Sequence, residues 1–395
     1  MIWEKVRLDD ICEINMGKTP SRSEPKYWDG NFPWVSIADL KGDYFISKTK
    51  EGITEFAIKN SGVKIVPKNT LLYSFKLSIG KVAITKNEIY TNEAIAAFPI
   101  KDKTKVDLKY LYWAVQQIDL EGIGDKAVKG ITLNKEKLKE LQIPLPPLPI
   151  QKRIAEILDA ADELKRKDNE LLNKYDELAQ AIFIDMFGDP VRNEKGWEKM
   201  EFGSCIEYIG DIGSNGSNAT ISKNIEMLDT EDYAIMIRTT NLNANNFEKN
   251  LKYVSKKTYD FFSKSQIFGG EIIMNKIGSA GDFWIMPHLN KPVSLGLNQL
   301  VIRLKNLNSK YLYYYLSTNY SKAKIKASIN GAVTKSITKS AVKSLPLLYP
   351  KLDLQNKFSE IVSLIEKQKN KSSTIQVNQL FKSIIQKAFK GELTT

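Results

Sequence analysis

Cysteine and histidine are nearly missing: two cysteines, Cys12 and Cys205, and one histidine, His288, in 395 residues. No Cys/His zinc set can be assembled from so few. A Ser-His-Asp triad would have to use His288, which sits in Trp284-Ile285-Met286-Pro287-His288 with no nucleophile elbow nearby. Also missing is any apolar run approaching the roughly 18–20 residues of a membrane span, so no membrane is expected among the partners. The opening Met1-Ile2-Trp3-Glu4-Lys5 has neither the basic flank nor the apolar stretch of a secretory signal, and a cytoplasmic location is expected.

Catalytic signatures are equally scarce. No glycine fingerprint for a dinucleotide or S-adenosylmethionine follows a strand and opens a helix. An Asn-Pro-Pro-aromatic motif, which adenine methyltransferases use to hold a flipped base, does not occur. Gly17-Lys18-Thr19 resembles the end of a phosphate-binding loop, but Cys12 stands where the opening glycine should be and Pro20 where a helix should begin. Asp39-Leu40-Lys41 and Asp107-Leu108-Lys109 match the Asp-x-Lys fragment of metal-dependent nucleases. A nuclease needs a further carboxylate on an adjacent strand to hold the metal, and none is identifiable.

What is there is charge. The chain is 42% hydrophobic, enough for globular folding, and carries a formal charge of +12 with a pI of about 9.2. Its length suggests two or more domains. A polyanionic partner is one reading of the charge; lysine-favouring codon usage is the other.

The chain also repeats itself. Trp3-Glu4-Lys5 recurs as Trp197-Glu198-Lys199, and Lys109-Tyr110-Leu111-Tyr112 as Lys310-Tyr311-Leu312-Tyr313. Ser78, Gly80 and Gly130 match Ser279, Gly281 and Gly331. Residues 138–158 align with 342–362 without a gap, placing Lys139, Leu141, Pro146, Gln151, Glu156 and Ile157 on Lys343, Leu345, Pro350, Gln355, Glu360 and Ile361. Chance supplies one such match, not five in register, so two domains of one fold are expected.

Each half ends in a helix. Over 151–187, Ile154, Ile157, Ala161, Leu164, Leu171, Tyr175, Leu178 and Ile182 alternate by three and four, interrupted by Asp168, which predicts a heptad seam. Pro149 precedes this helix and Gly188-Asp189-Pro190 stops it. A second helix, about 354–390, carries Phe358, Ile361, Ile365, Ile375, Phe381, Ile384 and Phe389, has a polar middle over 367–374, and is closed by Gly391. Six cations against nine carboxylates give 151–187 a net charge of −3; seven against two give 355–390 a net charge of +5. Opposite signs favour an antiparallel pair, each exposed contact contributing little. The alternative is two amphipathic helices, each packed on its own domain. With the helices paired, the domains would sit at opposite ends about a pseudo-two-fold axis, as dimeric readers match DNA half-sites.

Strands are expected at 32–37, 64–73, 81–84 and 94–99 with a helix at 109–117, and again at 234–238, 271–275, 283–286 and 299–304 with a helix at 310–319. The fold class is therefore α+β: two similar strand-rich domains separated by two long helices in an antiparallel coiled coil.

Gly17-Lys18-Thr19-Pro20-Ser21, then Tyr27-Trp28-Asp29-Gly30 and Pro33-Trp34-Val35, resembles the opening of a target-recognition domain of Type I restriction-modification specificity subunits. Leu141-Gln142-Ile143-Pro144-Leu145-Pro146-Pro147-Leu148-Pro149-Ile150-Gln151 resembles that family's lead into its spacer helix, and Ala388-Phe389-Lys390-Gly391-Glu392-Leu393 its C-terminus. The second half opens differently, with Gly210-Asp211-Ile212-Gly213-Ser214-Asn215-Gly216, before Ala234-Ile235-Met236-Ile237-Arg238-Thr239-Thr240-Asn241 fits the family's strand and polar loop. The resemblance implies recognition domains at 1–147 and 191–351 and spacer helices at 148–190 and 352–395. It implies a non-catalytic reader of bipartite double-stranded DNA, assembled with two methyltransferase and two restriction/translocase subunits. S-adenosylmethionine, ATP and magnesium would then lie on those partners, with no cofactor or metal in this chain.

Reading DNA needs cations for phosphates and polar side chains for base edges, both available on loops after strands. The candidates are Lys18, Thr19, Ser21, Arg22, Lys76, Ser78, Lys81 and Lys129 in the first domain, and Arg238, Thr239, Asn241, Lys276, Ser279, Lys335 and Lys339 in the second. Arg22 and Arg238, scarcer than lysines and beside polar loop residues, are the preferred base readers. Residues 1–150 carry 23 cations against 19 carboxylates and residues 188–354 carry 22 against 15, so the positive balance lies in the domains. Two other functions remain: a self-sufficient metal-dependent nuclease, and a protein-binding adaptor working through its coiled coil.

Overall fold

The computed structural model describes residues 3–120, 125–127, 130–371 and 374–393. The chain forms two compact units: Met1–Asn169 with Ser373–Thr395, and Glu170–Ser372.

In the first unit a five-stranded sheet runs in the order Asn15–Met16, Ile95–Phe98, Leu71–Ser74, Val82–Thr85, Phe45–Ile46, antiparallel except for the last pair. Its central strands are buried on both faces, which is why they read as near-continuous apolar runs. The two-residue period still sorts them. Leu71, Tyr73, Ile84, Ala96 and Phe98 face the helix Leu108–Val115 and the start of the long helix at Ile154 and Leu158. Leu72, Ala83, Ile95 and Ala97 face a second core with Val35, Leu40 and Ile89. A three-stranded sheet, Glu51–Ile53, Trp28–Val35, Tyr90–Thr91, lies beyond.

The second unit repeats the scheme. Its four-stranded antiparallel sheet has the order Ile206–Gly210, Gln299–Leu304, Ile272–Asn275, Phe283–Ile285. Ile272, Met274, Leu300 and Ile302 face the helix Ser309–Ser317, while Ile273 and Val301 face the opposite core. A further four-stranded sheet follows the order Lys252–Val254, Ala234–Met236, Val293–Ser294, Gln266–Ile267.

The sequence repeats mark where each unit is closed. Lys5–Arg7 pairs with Gln142–Pro144, and Glu198–Glu201 with Pro346–Tyr349. Tyr110 donates its hydroxyl to the Pro144 carbonyl, and Tyr311 donates to that of Leu348. Gln151 and Gln355 are buried, their amides donating to the Pro146 and Pro350 carbonyls at 2.8 Å.

The helix Leu148–Phe187 has 40 residues, about 60 Å at 1.5 Å per residue. The expected second helix is described as Leu352–Lys371, in the second unit, and Thr374–Lys390, in the first. Within each unit the helices run antiparallel. In the second, Phe183 and Phe187 meet Phe358, and Asp176 pairs with Lys369. In the first, the Lys165 ammonium lies 5.0 Å from the Phe381 ring centre, and Ala388 joins the core of Ile154 and Leu158.

Ile154, Tyr175 and Ile182 pack inward as the heptad expects, but the alternate row of the seam is shifted by one position. Leu164, Leu171 and Leu178 are exposed, and the buried line runs through Ala179, Phe183 and Phe187. Lys165 and the half-buried Asp168 occupy the inner register. Polar residues there let an adjacent row of leucines imitate the seam at the same heptad spacing.

Candidate nucleic-acid interface

The strand–loop junctions at one sheet edge bring many of the sequence-selected residues together, differently in each unit. In the first unit the chain leaving Asn15–Met16 passes Gly17, where a Cβ would lie 2.1 Å from the Asn92 carbonyl oxygen, so only glycine fits. Lys18 N–H donates to the Thr91 carbonyl at 2.8 Å, and the segment runs extended. The Trp34 and Trp28 indoles donate to the carbonyls of Lys18 and Ser21 at 3.2 and 3.1 Å, pinning the loop from below. Ser21 shares a 2.8 Å hydroxyl contact with Ser23.

The Arg22 guanidinium lies over Trp28, 3.8 Å from the ring centre, and holds Glu51 through both terminal nitrogens. Its hydrogen bond keeps the Glu51 carboxyl below its ordinary range. Thr19 donates its hydroxyl to Glu93. Burial pushes the Glu93 carboxyl up, but the Thr19 bond and the charges of Lys76 and Arg22 outweigh it and leave it lowered. Acidic side chains thus neutralise part of the charge of Arg22 and Lys76 and take up the Thr19 hydroxyl.

Lys76, Ser78 and Lys81 share the loop between Leu71–Ser74 and Val82–Thr85. The Ser74 hydroxyl donates to the Ser78 carbonyl and accepts from Lys81 N–H at 2.9 Å. Gly80, at φ 89°, donates its N–H to the Ser74 carbonyl at 2.9 Å. The matching loop of the second unit is congruent: Gly281, also at φ 89°, donates to the Asn275 carbonyl at 2.9 Å. A following strand-like segment seals each loop, through Leu133 N–H to Phe75 O and Ile337 N–H to Lys276 O.

The side chains on these equal backbones differ. Phe75 is wholly buried, whereas Lys276 at the same loop position joins an ion cluster. Lys276 and Lys339 donate to the two carboxylate oxygens of Asp211 at 2.6 and 2.7 Å, and Ser214 adds a bond at 2.9 Å. Burial raises the Asp211 carboxyl, and those three donors more than reverse it, to about 2. Thr239 opens the short helix Thr239–Asn243 where a polar loop was expected, and donates to the Asn275 side chain at 2.8 Å. Gly278 N–H donates to the Lys335 carbonyl, bringing the Ser279 and Lys335 loops side by side.

Family membership is decided by a model of the Type I restriction modification DNA specificity domain, which matches residues 2–174 and again 194–380. The chain belongs to this family. It is 34% identical over 239 residues to the MjaIX specificity subunit of Methanocaldococcus jannaschii, covering 55% of this chain; the chain spans about half, 53%, of that relative's length. The MjaVIII specificity subunit of the same organism is 21% identical over 408 residues, 98% of this chain and 90% of the relative. A Type I system S subunit from M. genitalium shares the fold at a TM-score of 0.56 and 15% identity, covering 98% of this chain and 96% of that one.

Within this specificity-domain chain the remaining selected residues fall elsewhere. Arg238 donates to the Asn250 carbonyl, while its Nε is buried without a partner. Asn241 is buried, and both ends of its side chain serve the chain's own backbone, at Arg238 N–H and Asn250 O. Lys129 lies outside the described residues. Sequence reasoning passed over Glu51, Glu93 and Asp211. The Asp-x-x-Ser spacing of Asp211 and Ser214 is a local capping signal and was legible. The two glutamates lie 29 and 74 residues from their partners, and no local pattern marks them.

The Asp-x-Lys aspartates have structural employment. Asp39 accepts from Ser36 and from Lys50 N–H, and Asp107 caps the helix Leu108–Val115 through Tyr110 N–H. Among the described residues no group of three or more His, Cys, Asp or Glu is placed to hold a metal, and no helix is long and apolar enough to cross a membrane.

Proposed function

We propose that this chain is the DNA-sequence-specificity subunit of a Type I restriction-modification complex, a reader and scaffold that does no bond-breaking itself. One observation carries the reading: the loops 75–81 and 276–282 are closed by matching backbone hydrogen bonds, with left-handed residues at matching positions, but carry different side chains. One framework with two reading surfaces is what a bipartite, asymmetric target requires, each unit docking in the major groove over a few base pairs. The lysines of each loop set supply phosphate contacts. Arg22 in one unit and Arg238 in the other are assigned to base edges, with the polar groups Thr19, Ser21 and Ser78, and Thr239 and Ser279, beside them.

In this reading the methyl and phosphoryl chemistry belongs to partners: two modification subunits using S-adenosylmethionine, and two restriction subunits using ATP and magnesium. The complex works on chromosomal DNA in the cytoplasm. The capping roles of Asp39 and Asp107 leave nothing that favours the nuclease reading, and no observation singles out the adaptor. The test is methylome sequencing of a host expressing this chain with its modification subunit, with and without this gene. A two-part modified motif present only with the chain supports the reading; no motif despite confirmed expression of both proteins overturns it.

A further inference from the structure

Within the two congruent loops one position stands out. Gly278 sits at φ 89°, and its counterpart Leu77 at φ 62°. A left-handed backbone suits glycine; leucine there crowds its Cβ against the following carbonyl. Leu77 is also 81% exposed, so no core contact offsets the crowding. Its neighbours are Lys76 and Ser78, with Lys81 on the same loop. The Lys76 ammonium lies 5.4 Å from the Phe75 ring centre, so Leu77 stands exposed on a loop it shares with two lysines.

An apolar side chain raised among cations is poorly placed for a protein core. It is well placed for DNA, where lysines meet phosphates and the thymine 5-methyl is the apolar group offered by the major groove. We propose that Leu77 is a specificity-determining residue of the first unit, packing against the methyl of a thymine in the half-site that unit reads. The second unit, with Gly278 in its place, makes no such contact. This inference rests on the DNA-reading function proposed above.

The test uses the full chain and the duplex identified by methylome sequencing, with each thymine in turn replaced by deoxyuridine, which lacks only the methyl. For the wild-type chain, one replacement weakens binding about three- to tenfold, the scale of one or two methyl-sized apolar groups returned to water. Leu77→Gly, which the congruent Gly278 loop shows to be compatible with the fold, binds the parent duplex with a similar loss. It shows no further loss on the uracil duplex that hurts the wild type. Equal binding of wild type and Leu77→Gly to the parent duplex overturns the inference, as does a loss that adds in full to the uracil effect. A wild-type chain that does not distinguish the target from random duplex overturns the DNA-reading function itself. A wild-type chain that prefers the target but binds every uracil duplex as tightly as the parent overturns this inference alone.

Discussion

The Gln151 side-chain carbonyl accepts the backbone N–H of Asp107 at 2.9 Å, and its amide donates to the carbonyls of Lys105 and Pro146. One buried glutamine therefore joins the start of the short helix to the start of the long one. Gln355 does the same for Asn308 N–H and Pro350 in the other unit. Replacing Gln151 by leucine keeps the volume but takes the side-chain partner from three backbone groups, one in a buried bond and two in half-buried ones. At about 1 kcal/mol or more for each group, the expected cost is roughly 3 kcal/mol. Calorimetry on Gln151→Leu and Gln355→Leu reads it as a lowered transition in each case; an unchanged melting curve would show that water or rearrangement satisfies those groups.

The Asp211 cluster makes the stability of the second unit depend on acid. The carboxyl is lowered to about 2 from an ordinary 3.8, so its contribution is complete above pH 4 and disappears as pH falls toward 2. That contribution is on the order of 1–2 kcal/mol, reduced by the partial exposure of Lys276 and Lys339. Asp211→Asn should be less stable than wild type at pH 7, and the gap should shrink below pH 4 and close as pH falls through about 2. Paired thermal melts across that range decide, and a gap that stays constant with pH counts against the assignment.

Arg22 is held by Glu51 in the free chain. Removing the carboxylate with Glu51→Gln should release a cation to DNA. Affinity for random duplex should rise, and the slope of log K against log salt should steepen by about one. A slope that does not change would mean that Arg22 never reaches a phosphate or base.

Helix length should set the unread spacer between the half-sites. Inserting one heptad into each partner of the helix pair adds about 10 Å at 1.5 Å per residue, near three base pairs of duplex. The expected methylome keeps both half-sites and lengthens the gap between them. A gap that stays the same length would separate helix length from spacing.

Much of this was legible from the chain. The duplication, the buried strands near 71–74, 82–85, 95–98, 272–275 and 299–304, and the two helical regions all follow from local patterns, because apolar period and turn residues act over a few positions. The strand expected from residue 64 begins only at Leu71, since the segment before it makes just an isolated bridge at Val66. One row of the seam was misplaced by one residue, because Leu164, Leu171 and Leu178 repeat every seven residues as convincingly as the buried row beside them; Ile154, Tyr175 and Ile182 of the other row do face inward.

The sequence by itself determined that there are two related units, that they carry excess cations, and to which family they belong. Those properties are written in composition and in matches between residues about 200 positions apart. Only the tertiary structure decided which cations are already paired, that Asn241 is consumed by its own backbone, and that Leu77 stands exposed where its twin is glycine. Ion pairing and exposure depend on side chains brought together from 29 to 128 positions apart, and no local pattern encodes them.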